Sequence, residues 1–196
     1  MAAAGKVCTG FSLPYVAKYA CASGVISYSS GQKLARGVDV SIEPDSSEDN
    51  VFYADNVAAE TDAGTFTGGT LNLTVDGLFQ AAEQMIMGLP AAGNDDDFLT
   101  YDDDQVVPYV GVGYIARYQS EGVTTFCPTI IVKAQFNQLQ NSHATSEEQK
   151  NYQTQALSAA ILRGDDAKHS WKRIAKEDYD TEAEAEAAIK EVFGIS

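Results

Sequence analysis

Three groups of side chains in this sequence have the residue types for chemistry. Cys127 with His143 or His169 could in principle form a nucleophile and its base, but no nucleophile elbow or other catalytic signature surrounds them. Two aspartate triplets, Asp95-Asp96-Asp97 and Asp102-Asp103-Asp104, could offer oxygens to calcium, a cation that gathers roughly six to eight of them. Their spacing lacks the alternating order and terminal glutamate of an EF-hand loop, and consecutive aspartates point apart. The expectation is a solvated acidic loop. The glycine-rich stretches are not phosphate loops: residues 64–70 lack the Lys-Ser/Thr pair, and residues 111–114 sit inside a strand pattern instead of opening a helix. No catalytic residue, metal ligand or cofactor is assigned, and the chain is not expected to be an enzyme.

The elements that would position any site must come from 196 residues, the length of one ordinary domain. A hydrophobic fraction of 44% is enough to bury a core, while the mean hydropathy of −0.20 and the absence of a long apolar run exclude a membrane-spanning helix. The formal charge of −15 argues against a nucleic acid held through its phosphates. That charge is concentrated: residues 37–116 contain 16 acidic residues and neither Lys nor Arg, whereas the rest of the chain is close to neutral. Such a stretch is either a solubilising face or a surface that repels polyanions. Cys8, Cys21 and Cys127 form neither a disulfide set nor a metal spacing, which fits maturation in a reducing cytoplasm. Lys6 and Ala20-Cys21-Ala22 faintly imitate a secretory signal, but Pro14 and Lys18 interrupt the apolar stretch between them, so export by that route is not expected.

Alternation dominates the pattern. Leu34, Val38, Val40 and Ile42 share one parity while Lys33, Asp39, Ser41 and Glu43 share the other, the signature of a long half-buried strand. Residues 43–50 read as a turn or projecting loop, and residues 51–56 as a return strand. Gly68-Gly69 marks a turn or bulge before Leu71, Leu73 and Val75 alternate again. Asp76 can cap a helix over residues 78–87, closed by Gly88 and Pro90. Strands are predicted over 106–118 and 124–136, joined by a turn at residues 120–122, with Pro128 suggesting an edge or a bulge. Residues 138–151 are looplike, 152–164 lean to strand, and 169–175 form a short strand holding the single Trp. Thr181 and Glu184 make a capping box that opens a C-terminal helix over about 181–193. The fold class is mainly β within α+β, one domain over 1–196, with an N-terminal arm over about 1–24.

Taken together and in order, residues 33–43, 51–56, 64–78, 111–118 and the strands and acidic helix that follow resemble the major tail tube protein of long-tailed bacteriophages, in the phi13-type family. The acidic loop over 93–105 matches no motif of that family. The resemblance implies a β-sandwich or small barrel with a flanking helix, long hairpins, and six copies joined in a ring around a β-lined channel. Rings would stack into a tube in the virion tail, assembled in the bacterial host cytoplasm. The implied partners are further copies of the chain, the tape-measure protein, and tail-tip and tail-terminator proteins. DNA would pass through without specific binding, and no membrane is involved. Within that frame Asp39 and Glu43 are candidate lumen-facing acids, and Pro44, Asp45, Glu48, Asp49, Asn50, Phe52 and Tyr53 are candidates for contact between rings, on a projecting segment over 44–56. The other reading is an acidic β-sandwich binding module on a virion or cell surface, with or without dependence on calcium.

Overall fold

Alternation of apolar and polar residues builds most of this chain into strands, and the places where the alternation breaks decide how the sheet is shaped. The computed structural model describes residues 5–90, 98–141, 145 and 152–195. In chain order the elements are β1 (Val7–Ala22), β2 (Val25–Lys33), β3 (Gly37–Ser46), β4 (Asn50–Ala54), β5 (Val57–Asp62), β6 (Phe66–Val75), α1 (Gln80–Met87), β7 (Val110–Ser120), β8 (Val123–Phe136), β9 (Gln155–Leu162), β10 (Lys172–Ile174) and α2 (Glu182–Phe193). Eight strands form one antiparallel sheet in the order β2-β1-β7-β8-β9-β6-β3, with β10 added to β8, while β4 and β5 pair only with each other. The mainly β, α+β class expected from the sequence is therefore present. The sheet is open, not a closed barrel: β2 and β3 are its two end strands.

A bulge in β8 divides the sheet. Val112 opposes Ile131 but Val110 opposes Ala134, so one extra residue lies on β8 between them. Before the bulge, residues 129–131 carry β10 on the edge away from β7; after it, residues 133–136 carry β9. The bulge also decides which face each side chain of this strand meets. Ile130, Ala134 and Phe136 share a parity in sequence, yet Ile130 packs in the core beneath α2 and the other two pack in the main core. One inserted residue turns every later side chain to the opposite face.

The main core lies on the face that receives α1. Leu71, Leu73 and Val75 of β6, Leu157 and Ile161 of β9, and Val110 and Val112 of β7 meet Ile86 and Met87 there. On the other face α2 buries Ala185, Ile189 and Phe193 over Tyr15, Ala17 and Ile115. Full burial of a side chain such as Ile189 or Phe193 stabilises by about 1.5–3 kcal/mol. The close approach needs glycine: a Cβ on Gly113 would stand 2.8 Å from Cγ2 of Ile189. The expected Thr181 cap is present, its hydroxyl accepting from the Glu184 amide at 3.3 Å, while the Glu184 carboxylate takes that hydroxyl at 2.8 Å in place of the Thr181 amide of a full capping box. Helix α1 differs from expectation. It starts at Gln80 without a side-chain cap, and Asp76, the expected cap, instead accepts from the Arg36 amide at 3.0 Å.

Residues 7–22 fall within the expected N-terminal arm. They form β1, held between β2 and β7, and Ala20, Cys21 and Ala22 pair with Ser27, Ile26 and Val25. Gly68 and Gly69 are not a turn either; they lie inside β6 opposite Asp45 and Pro44, and the register shift falls beside them at Thr67. Nor is Pro128 at a sheet edge, because β8 is flanked by β7 and β10. Residues 50–54 form the outbound strand of a separate hairpin whose return strand, β5, the sequence pattern did not signal. Among the described residues no helix is long and apolar enough to cross a membrane.

Candidate assembly surface

The paired residues Asp55 and Asn56 both adopt positive φ, 51° and 65°, the two-residue turn whose twist suits a hairpin and that short polar side chains tolerate. That turn folds β4 onto β5, and Asn50, Val51 and Phe52 face Asp62, Thr61 and Glu60 across the pair. The hairpin grows from the end of β3 and β6 through a narrow neck. There the Ser47 amide donates to Thr65 O at 2.9 Å, the Thr65 amide to Ser47 Oγ at 3.0 Å, and the Gly64 amide to Asp49 Oδ1 at 2.8 Å. Residues 37–75 are therefore a single long arm that continues past the body of the sheet, reaching about 25 Å beyond Ser46 if extended. Its end has no second layer. Phe52, Tyr53 and Val57 are 62%, 66% and 66% exposed, and a two-stranded ribbon alone is marginally stable in water.

The predicted contact residues divide among three parts of this arm. Pro44 and Asp45 belong to β3 and pair with Gly69 and Gly68. Glu48 and Asp49 lie in the neck, and Asn50, Phe52 and Tyr53 lie on β4. The root is gripped by residues the sequence reading did not single out. Arg163 donates Nε to Phe66 O at 2.7 Å and its Nη2 to the same oxygen, and the Trp171 ring lies on Phe66.

The predicted lumen acids share one face. Asp39, Ser41 and Glu43 oppose Thr74, Asn72 and Thr70, which in turn oppose Ala156, Ser158 and Ala160. Alternation puts all nine on the side away from the main core, since Val40, Ile42, Leu71 and Leu73 occupy the other side. Over β1, β7 and β8 this outer face is covered by α2; over β9, β6 and β3 no helix among the described residues covers it, and at its β9 side Asn137 donates to Ser158 Oγ at 3.3 Å. This half of the face is polar and small-chained, and Asp39 and Glu43, both exposed, are the charges among these nine residues. The Asn72 amide donates to Glu43 at 3.4 Å, which orients that carboxylate along the face.

The groups with chemical potential are engaged otherwise. Cys127 is buried, and burial together with a hydrogen bond to Asp178 pushes its thiol above the ordinary value. The Asp178 carboxylate also accepts from Lys6 at 2.8 Å and Thr125 at 2.9 Å. The Nδ1 atom of His169 faces Gly164 O at 3.2 Å, while His143 lies outside the described residues. Asp95, Asp96 and Asp97 also lie outside them; Asp102 accepts from the Asp104 amide at 3.1 Å within its own turn. Among the described residues no three His, Cys, Asp or Glu side chains are grouped to hold a metal.

A further cluster had no signal in the alternation pattern because it sits at the β8 bulge. Lys133, almost fully buried, bonds Asp165 at 2.8 Å and lies 4.4 Å above the Tyr109 ring. Tyr19 donates its hydroxyl to Asp165 at 3.1 Å and accepts from the Asp165 amide at 2.9 Å, and burial is the main cause that raises its phenol to about 12. These contacts tie the segment between β9 and β10 to the sheet.

In comparisons with known proteins, no family model matches the chain. No curated protein matches it significantly either.

Proposed function

We propose that this chain is a structural subunit of a phage tail tube, six copies forming a ring and rings stacking into a conduit for DNA. The observation that carries the reading is the polar outer face of β9, β6 and β3, which no helix among the described residues covers. A channel wall for DNA has to be smooth, polar and unattractive to phosphate, and a face of Thr, Ser, Asn and Ala with Asp39 and Glu43 as its charges meets each need. Two further features support it. The end strands β2 and β3 each leave one edge unpaired, so sheets can continue from copy to copy and remove edges that would otherwise aggregate. The β4–β5 hairpin projects without a partner from the end of the same arm that carries the acids.

In this reading the copies surround the tape-measure protein during assembly, tail-tip and terminator proteins close the two ends, and DNA later passes without specific contacts. The finer fold, a tail-tube domain whose sheet closes only within the ring, belongs to the same proposal. Negative-stain electron microscopy of the concentrated protein, with light scattering on the same sample, tests it. Hollow tubes or six-fold rings are the expected result. Compact particles without a central channel, persisting when a tail-tip initiator is supplied, would overturn it.

A further inference from the structure

We infer that the acidic β4–β5 hairpin of one copy docks on the basic β10 strip of a second copy, a contact that rests on the self-assembly reading and names its two surfaces. The arm from Asp45 to Asp62 carries six acidic residues (Asp45, Glu48, Asp49, Asp55, Glu60 and Asp62) and no Lys or Arg. None of the six is ion-paired among the described residues. A ribbon with that charge, exposed Phe52 and Val57, and no second layer has every reason to be covered, and its cover has to be basic.

The chain offers one concentrated basic surface. Lys168, Lys172, Arg173 and Lys176 fall within nine residues around β10, and none of them is ion-paired among the described residues. Of the carboxylates that flank the strip, Asp165 is paired with Lys133 and Asp178 with Lys6, Asp166 accepts from the Ser170 amide and hydroxyl, and Glu177 and Asp180 follow on its far side. Residues 168–176 themselves hold four cations and no carboxylate, so the strip presents a positive field. Between them Ile174 is 55% exposed, an apolar spot matching Phe52 and Val57.

The backbone is complementary as well. Strand β10 pairs β8 along one side, and its other side carries no strand, so an incoming ribbon edge can add to it by main-chain hydrogen bonds while side-chain charges set the register. Within one copy no backbone hydrogen bond joins the hairpin to β10. Two different surfaces, one on each copy, make a heterologous contact, the kind that propagates into rings or filaments and does not stop at a dimer.

Charge reversal with complementation tests this directly. Glu48→Lys/Glu60→Lys/Asp62→Lys reverses the hairpin, and Lys172→Glu/Arg173→Glu/Lys176→Glu reverses the strip; circular dichroism and thermal melting check that each variant folds. In sedimentation velocity at low salt, the wild-type chain should self-associate and each variant alone should do so at least tenfold more weakly. An equimolar mixture of the two should recover to within a few-fold of wild type, because each hairpin then meets an opposite strip. Undiminished association of either variant overturns the inference. So does failure of the folded mixture to recover, the outcome if hairpin and strip meet inside one copy. Neutral versions (Glu→Gln, Asp→Asn and Lys→Gln at the same positions) replace any reversed variant that fails to fold, with the same tenfold weakening expected. A wild-type chain that stays monomeric at every concentration also overturns this contact, yet leaves standing a tube that grows only from an initiator. Recovery of the mixture into particles that are not tubes keeps the contact and removes the tail-tube reading.

Discussion

The Phe66 and Trp171 rings lie stacked, their centroids 4.3 Å apart and their planes 8° from parallel. Phe66 is the first residue of β6, where the projecting arm returns to the sheet, and Trp171 immediately precedes β10. One aromatic contact therefore joins the root of the acidic arm to the segment that leads into the basic strip. Arg163 completes the clasp from the end of β9 by donating to Phe66 O.

Removing that stack should free the arm without unfolding the sheet. Trp171→Ala is expected to lower stability by about 1–3 kcal/mol, less than for a fully buried aromatic because the ring is only half-buried. Phe66→Leu should shift the emission of the single Trp to longer wavelength with a smaller loss in urea unfolding. Unchanged fluorescence would show that the ring pair is not held in solution.

Helix α2 should be indispensable to folding. Phe193→Ala empties a site where the ring meets Tyr28 at 5.0 Å and covers Gly113, and the expected cost is about 3–5 kcal/mol in urea denaturation. Gly113→Val should also destabilise, since even its Cβ would lie 2.8 Å from Ile189 and 3.0 Å from Phe193. A melt unaffected by either change would mean that α2 does not pack where described.

Acid should loosen the link between the N-terminal strand and the segment before α2. The hydrogen bond from Lys6, assisted by Thr125 and Cys127 and opposed by burial, holds Asp178 below the ordinary carboxylate range. Because the folded pKa is depressed, this stabilisation is fully present above the unfolded value and disappears as pH falls through the lower folded value. Between about pH 5 and pH 2 the denaturation midpoint of Asp178→Asn should fall less steeply than that of the wild type. Parallel curves would assign the acid sensitivity to other depressed carboxylates, such as Asp165 and Glu186.

Excising the hairpin should separate assembly from folding. Replacing residues 48–63 with a two-residue turn removes β4, β5 and the Asp49 contact of the neck while keeping every pair of β3 with β6. The melting temperature should stay within a few degrees of wild type and tube growth in the microscope should stop. Deleting Asp45–Asn50 should also block growth, at a greater cost in stability because Asp45 and Ser46 are paired in β3. Normal tubes from the excised chain would sink the role given to the arm.

Lumen charge is tested by inversion. Asp39→Lys/Glu43→Lys alters exposed residues on the uncovered face, so tubes should still form. At about 50 mM salt those tubes should retain short duplex DNA in a filter assay, whereas wild-type tubes should not. Equal retention would place these acids away from the channel.

Local pattern alone determined the strands with unbroken alternation, β3, the later part of β6, and β7, along with the C-terminal helix and its cap. In each, the period of the side chains and the chemistry of the end residues are properties of a few neighbouring positions. The polar face with Asp39 and Glu43 was legible for the same reason, as one parity of a single strand. Tertiary structure decided the rest. In β1 the register shifts between Ser12 and Tyr15, where Leu13 adopts φ 51°, so Phe11 and Tyr15 share a parity yet pack in different cores. The β8 bulge does the same to Ile130 and Ala134. A bulge is fixed by what the neighbouring strands require and leaves no period in the sequence to read. That no described helix covers the face of Asp39 while the same side of the sheet is covered over β7 is a matter of where α2 lands, and the helix lands where Gly113 leaves room for Ile189 and Phe193. The meeting of Phe66 with Trp171, about a hundred positions apart, likewise follows from packing and from no local preference.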